Sequence, residues 1–129
     1  MEENYEGGIA VEEIKVGDYV RTKEGIIDKI DAFNINTNIY HCENVLCIDK
    51  ENKIAVALKD IKHSKNIIDL IEIGDYVNGY RIDNIANGVL VNKAVGIDRS
   101  GTFTPIVQYE NDIKTILTKE QFEQNSYKV

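Results

Sequence analysis

The segment Ile14-Lys15-Val16-Gly17-Asp18-Tyr19-Val20 returns fifty-seven residues later as Ile71-Glu72-Ile73-Gly74-Asp75-Tyr76-Val77. A chain that repeats a motif at this spacing is expected to fold as two copies of one unit. In each copy an alternating apolar stretch enters a Gly-Asp turn and a Tyr-Val strand leaves it. Glycine tolerates positive φ there, and aspartate bonds the local backbone. Ile27-Asp28-Lys29-Ile30 then aligns with Ile82-Asp83-Asn84-Ile85 at the cost of a two-residue deletion. The copies span residues 12–66 and 67–129. They follow an acidic stretch, residues 1–11, that lacks periodicity and contains Gly7-Gly8, which reads as a flexible tail.

Between the repeated motifs, strands and turns account for the pattern better than helices. Ile26 to Ile35 alternates as one bent strand, with Ile26 or Ile27, Ile30 and Phe33 facing the core, and Asn36-Thr37-Asn38 ends it. Short strands follow at Ile39–Cys42 and Val45–Ile48. Asp49-Lys50-Glu51-Asn52 reads as a polar turn that returns the chain through Lys53–Leu58, and Lys59–Ser64 reads as a single 3-10 turn. In the second copy Asn87-Gly88 specifies a two-residue type I′ hairpin turn. Pro105 cannot donate to a ladder, which places the strand Phe103–Val107 at an edge or bulge. Ile113–Leu117 closes the unit. Thr118 and Gln121 form a capping box that predicts a short helix from Lys119 to Gln124.

The entry pattern of strand, Gly-Asp turn, Tyr-Val, polar turn and bent Ile-rich strand is similar to that of small barrels of the KOW and Tudor kind. The expected fold is therefore mostly β, two tandem small SH3-like or KOW-like barrel units with a short carboxyl-terminal helix. Val16-Gly17-Asp18-Tyr19-Val20-Arg21-Thr22-Lys23-Glu24-Gly25, the block Lys62 to Gly79, and the ending Ile113 to Val129 resemble a group of small proteins from phages and prophages of clostridia and bacilli. That resemblance implies a viral accessory protein in the cytoplasm of an infected bacterium. It brings no catalytic or binding residue to carry over.

Charge and composition narrow the function. A formal net charge of −7 disfavours direct binding to a DNA backbone, which needs clustered Lys and Arg. No apolar run approaches the length of a membrane span, and two cysteines without a leader pattern read as reduced thiols. His41, Cys42, Cys47 and His63 are metal-ligand types without metal-ligand spacing, and alternation separates His41 from Cys42. Both cysteines read as small core residues, and neither metal nor cofactor is expected. Asp18 and Asp75 read as turn caps and not as an acid–base pair. Tyr19 and Tyr76 read as equivalent barrel residues, leaving Tyr40, Tyr80 and Tyr109 freer.

Gly96 to Gly101 lacks the Lys-Ser/Thr ending of a phosphate loop, yet Arg99 and Ser100 offer donors to an anion and Phe103 a surface for stacking. The expected ligand-binding residues are thus Arg99, Ser100, Phe103 and Tyr40, in a protein without catalytic activity. The resemblance and the lack of a catalytic constellation favour an inhibitor of a bacterial anti-phage defence system, and the acidic balance favours the version that occupies a protein. It would occupy a defence protein, for example a CRISPR effector, or sequester a nucleotide signal, and edge strands would allow a homo-oligomer. A phage structural or assembly adaptor is the alternative.

Overall fold

The computed structural model describes residues 5–6, 9–10, 13–50, 56–97 and 103–126. Its strands are β1 Tyr5–Glu6, β2 Ile9–Ala10, β3 Tyr19–Arg21, β4 Ile27–Asn34, β5 Ile39–Cys42, β6 Cys47–Asp49 and β7 Val56–Ala57. There follow β8 Lys62–Ser64, β9 Tyr76–Val77, β10 Tyr80–Arg81, β11 Asn84–Ala86, β12 Val89–Ile97, β13 Phe103–Gln108 and β14 Ile116–Leu117, and the chain then enters helix α1, Lys119–Asn125. The fold is mostly β with a short carboxyl-terminal helix. Six strands, in the order β7-β6-β5-β4-β3-β8, form a sheet that curls as half a barrel. Three-stranded sheets β10-β9-β14 and β11-β12-β13 follow, and β1 pairs with β2 inside the stretch that reads as a tail.

The repeat is visible in individual hydrogen bonds. Gly17 N–H donates to Ile30 O at 2.9 Å, and Gly74 N–H to Ile82 O at 2.8 Å. Ile30 N–H returns to Asp18 O, and Ile82 N–H to Asp75 O. The two glycines have φ of +97° and +98°. Each aspartate caps its turn through one carboxylate oxygen, which accepts Lys15 N–H in the first copy and Glu72 N–H in the second. Ile14, Val20 and Ile30 lie in one core cluster, and their counterparts Ile71, Val77 and Ile82 lie in the other.

Ile82 therefore corresponds to Ile30, not to Ile27. It follows Asp75 by seven residues where Ile30 follows Asp18 by twelve, so the second copy has lost five residues and not two. The reason is turn length: the seven residues Arg21–Ile27 between the paired Val20 and Asp28 are replaced by Asn78-Gly79 between the paired Val77 and Tyr80, and the φ values of +53° at Asn78 and +83° at Gly79 make a two-residue turn. The return strand also repeats, since β8 pairs with β3 as β14 pairs with β9, and α1 follows β14 as the 3-10 turn Ile67–Leu70 follows β8. A Cβ at Gly17 would meet nothing within 4 Å, whereas one at Gly74 would touch Lys119 at 3.5 Å. Gly17→Val should therefore cost about 1–3 kcal/mol through backbone strain alone, and Gly74→Val should cost at least as much. Urea midpoints at constant m-value measure both.

Several local expectations hold. Asn87 and Gly88 both have positive φ between β11 and β12. β13 is an edge strand, and Pro105 lies opposite the register shift between Asn92 and Gly96. Thr118 and Gln121 form the reciprocal capping box. Other expectations fail. The strands expected at Val45–Ile48 and Ile113–Leu117 form instead at Cys47–Asp49 and Ile116–Leu117. Lys62–Ser64 extends as β8, and the 3-10 turn is confined to Leu58–Asp60. β7 runs parallel to β6, with Ile48 beside Val56, so it does not return as the second arm of a hairpin. Residues 51 and 52 of the expected turn lie outside the described residues.

Candidate functional site

Of the four residues expected to bind ligand, Arg99 and Ser100 lie outside the described residues. Phe103 stands in β13 with its backbone opposite Ile97. Tyr40 is not a surface group: it is 6% exposed, belongs to the first core and packs on Phe33 with ring centroids 4.5 Å apart. Its phenol is pushed above its ordinary value by burial, with Glu13 and Asp18 adding to the shift. Alternation in β5 puts Tyr40 on the core side with Ile48 opposite it, and that register could not be read without the β6 pairing. Cys42 packs against the same core, and burial pushes its thiol up to about 12, so it is a poor nucleophile. Cys47, expected inside, is exposed. Tyr80 and Tyr109 are exposed, as expected for the freer tyrosines.

The densest polar constellation joins the two copies. Arg21 follows Val20 in β3 and so points away from the first core, where exposure would be expected; it is instead 2% exposed. Its Nη1 and Nη2 donate to the two carboxylate oxygens of Asp75, itself 0% exposed, and Nη1 also donates to Leu70 O at 2.9 Å. Nη2 reaches Glu120 in α1 at 2.7 Å, and Nε lies 3.3 Å from Glu72. Asp75 also accepts Lys119 N–H at the start of α1, so one carboxylate holds its own turn, the arginine and the helix. Burial would raise the Glu72 pKa, but Lys119 and Lys62, with Arg21 behind them, hold it below its usual range. These groups are committed to one another and serve as a clasp between the copies.

Thr118 Oγ1 adds a second tie by donating to Gly25 O at 2.8 Å. Beside it, a cleft of about 350 Å³ is lined by Ile27, Ile67, Ile113 and Ile116 together with Asn44 and Gln121. Its amides are in use, since Gln121 Oε1 accepts Thr118 N–H and Asn44 Nδ2 donates to Asp28. We read it as a packing seam.

The outer face of the second copy is different. Arg81, Tyr76 and Leu117 are direct neighbours across β10, β9 and β14, on the side away from Val77 and its core. Phe122 of α1 stacks on Tyr76 with centroids 5.0 Å apart and planes 26° apart. Leu117 remains 40% and Phe122 46% exposed. Tyr19 and Tyr76 are equivalent, as expected, but both rings lie on faces opposite their cores. Tyr19 is covered by Lys29, whose Nζ is 5.4 Å from the ring centroid. Among the described residues, only the second copy therefore presents an exposed aromatic pair edged by an aliphatic side chain and an arginine, beside the acids Glu120 and Glu123 of α1. This patch of Tyr76, Arg81, Leu117 and Phe122 is the candidate site. The sequence predicts the helix but not what it packs on, and the contact of Phe122 with Tyr76 rests on a pairing between distant segments that no local pattern encodes.

No family model, curated protein or solved structure matches the chain. Among the described residues, no helix is long and apolar enough to cross a membrane.

Proposed function

We propose that this chain is a non-catalytic, phage-encoded binding protein that inhibits a bacterial anti-phage defence system by occupying a defence protein. The observation that carries the reading is the exposed Tyr76–Phe122 stack with Leu117 and Arg81 beside it. Aromatic and arginine side chains supply large contact area at low rotamer cost and dominate interface energetics. The net charge of −7 suits a basic partner such as a nucleic-acid-handling effector, where it steers association and competes with the phosphate backbone. The resemblance of the Gly-Asp blocks to phage proteins supplies the biological setting.

The test is retention of proteins from lysate of the bacterial host on the immobilised chain. Phe122→Ser and Leu117→Ser should each weaken capture of the retained protein by about 2 kcal/mol, roughly thirtyfold, while leaving the urea midpoint nearly unchanged. Equal capture by both variants would remove the patch from consideration. Stable incorporation into purified virions would instead favour a structural or assembly adaptor.

A further inference from the structure

The cross-strand register of β5 and β6 brings together two side chains that lie outside both the clasp and the aromatic patch. Cys42 N–H donates to Leu46 O and Lys50 N–H to Asn38 O, so the pairs 42/46 and 38/50 are hydrogen-bonded ones. His41 and Cys47, directly opposite each other, therefore occupy a non-hydrogen-bonded pair, the position at which facing side chains approach most closely. Both are exposed, and Cys47 Sγ lies 3.6 Å from His41 Nδ1. In a tetrahedral zinc site, with Zn–S about 2.3 Å and Zn–N about 2.0–2.1 Å, the sulfur-to-nitrogen edge is about 3.5 Å. The pair is already separated by one edge of that polyhedron.

We propose that His41 and Cys47 form a two-residue chelate for a zinc-class divalent ion on the solvent side of β5 and β6. Binding releases the Cys47 thiol proton to solvent. The imidazole keeps its hydrogen on Nε2 and gives its Nδ1 lone pair to the metal, and water fills the remaining positions. Among the described residues, no group of three or more His, Cys, Asp or Glu side chains is arranged to hold a metal ion, so this is an open, exchangeable site and not a structural one. Cys42 faces the core and takes no part.

Cadmium is a suitable probe, because its bond to thiolate gives a charge-transfer absorption. The reduced chain should show this band on titration and saturate at one ion per chain. Cys47→Ser should abolish the band, His41→Ala should weaken binding by roughly tenfold or more, and Cys42→Ser should change neither. On addition of zinc to the unsubstituted chain, the ring resonances of His41 should shift while those of His63, held by Asp18 at 3.1 Å, stay in place. Absence of the band in the unsubstituted chain, its survival in Cys47→Ser, or unchanged affinity in His41→Ala overturns the proposal. The resonance shifts decide the matter even where a variant fails to fold.

Discussion

Arg21→Met should destabilise the protein by about 3–5 kcal/mol, because it leaves the fully buried Asp75 carboxylate without its cationic partner. Two of Asp75's ligands survive the change, the N–H groups of Glu72 and Lys119, but they do not neutralise the charge. Glu72 and Glu120 lose the same cation, and at 28% and 26% side-chain exposure both can turn to water, so Asp75 bears most of the loss. Asp75→Asn should also be costly, since it leaves Arg21 buried with weaker acceptors and sets an amide NH2 against either the Glu72 N–H or the Lys119 N–H. The double variant Arg21→Met with Asp75→Asn should be less destabilised than the two single effects added together. Chemical denaturation of all four proteins gives the coupling energy, expected at about 1–3 kcal/mol. Strict additivity would show that the clasp does not act as a unit.

What could be read in the sequence was the chemistry settled within a few residues. Gly17-Asp18 and Gly74-Asp75 demand positive φ and supply their own cap; Asn87-Gly88 fixes a two-residue turn; Thr118 and Gln121 begin a helix. Pro105 marked an edge because it cannot donate. What could not be read was pairing between segments. Sliding Ile82 from Ile27 to Ile30 changes no residue's preference, only the turn length, and identical isoleucines made the wrong alignment attractive. The same blindness hid Arg21. Alternation after Val20 puts it on an outer face, and nothing local says that the second copy covers that face. One signal was available: the position equivalent to Arg21 in the second copy is Asn78, whose side chain instead holds Lys114 N–H, Thr115 N–H and Asp112 O. A charge kept in one copy and absent from the other pointed to a role between copies. His41 and Cys47 stand apart in sequence for a related reason, since the register of β5 and β6 and not any spacing along the chain sets them side by side.

Asp28→Ala should cost about 2–4 kcal/mol and loosen the β5–β6 turn, although Asp28 belongs to a different hairpin. The side chain is 3% exposed, and its carboxylate accepts the N–H groups of Lys29, Asn44, Val45 and Leu46 as well as Asn44 Nδ2. Three consecutive N–H groups, at residues 44–46, converge on one anion, and alanine leaves them to water or unpaired. Burial would raise the pKa of this carboxyl, but the N–H groups of Val45, Lys29, Leu46 and Asn44 outweigh it and hold the value below the ordinary 3.8. The folded pKa is thus below the unfolded one. Stability from Asp28 is fully present above about pH 4 and is lost as pH falls through the folded pKa. Glu72, likewise held low, adds to the same acid limb. Asp28→Asn should therefore be less stable near neutrality yet lose less on acidification, so that the two stability curves converge as pH falls through the folded pKa of Asp28. Urea midpoints measured from neutrality down to that range test this, and parallel curves would mean that the turn is held by its backbone geometry and not by the charge of Asp28.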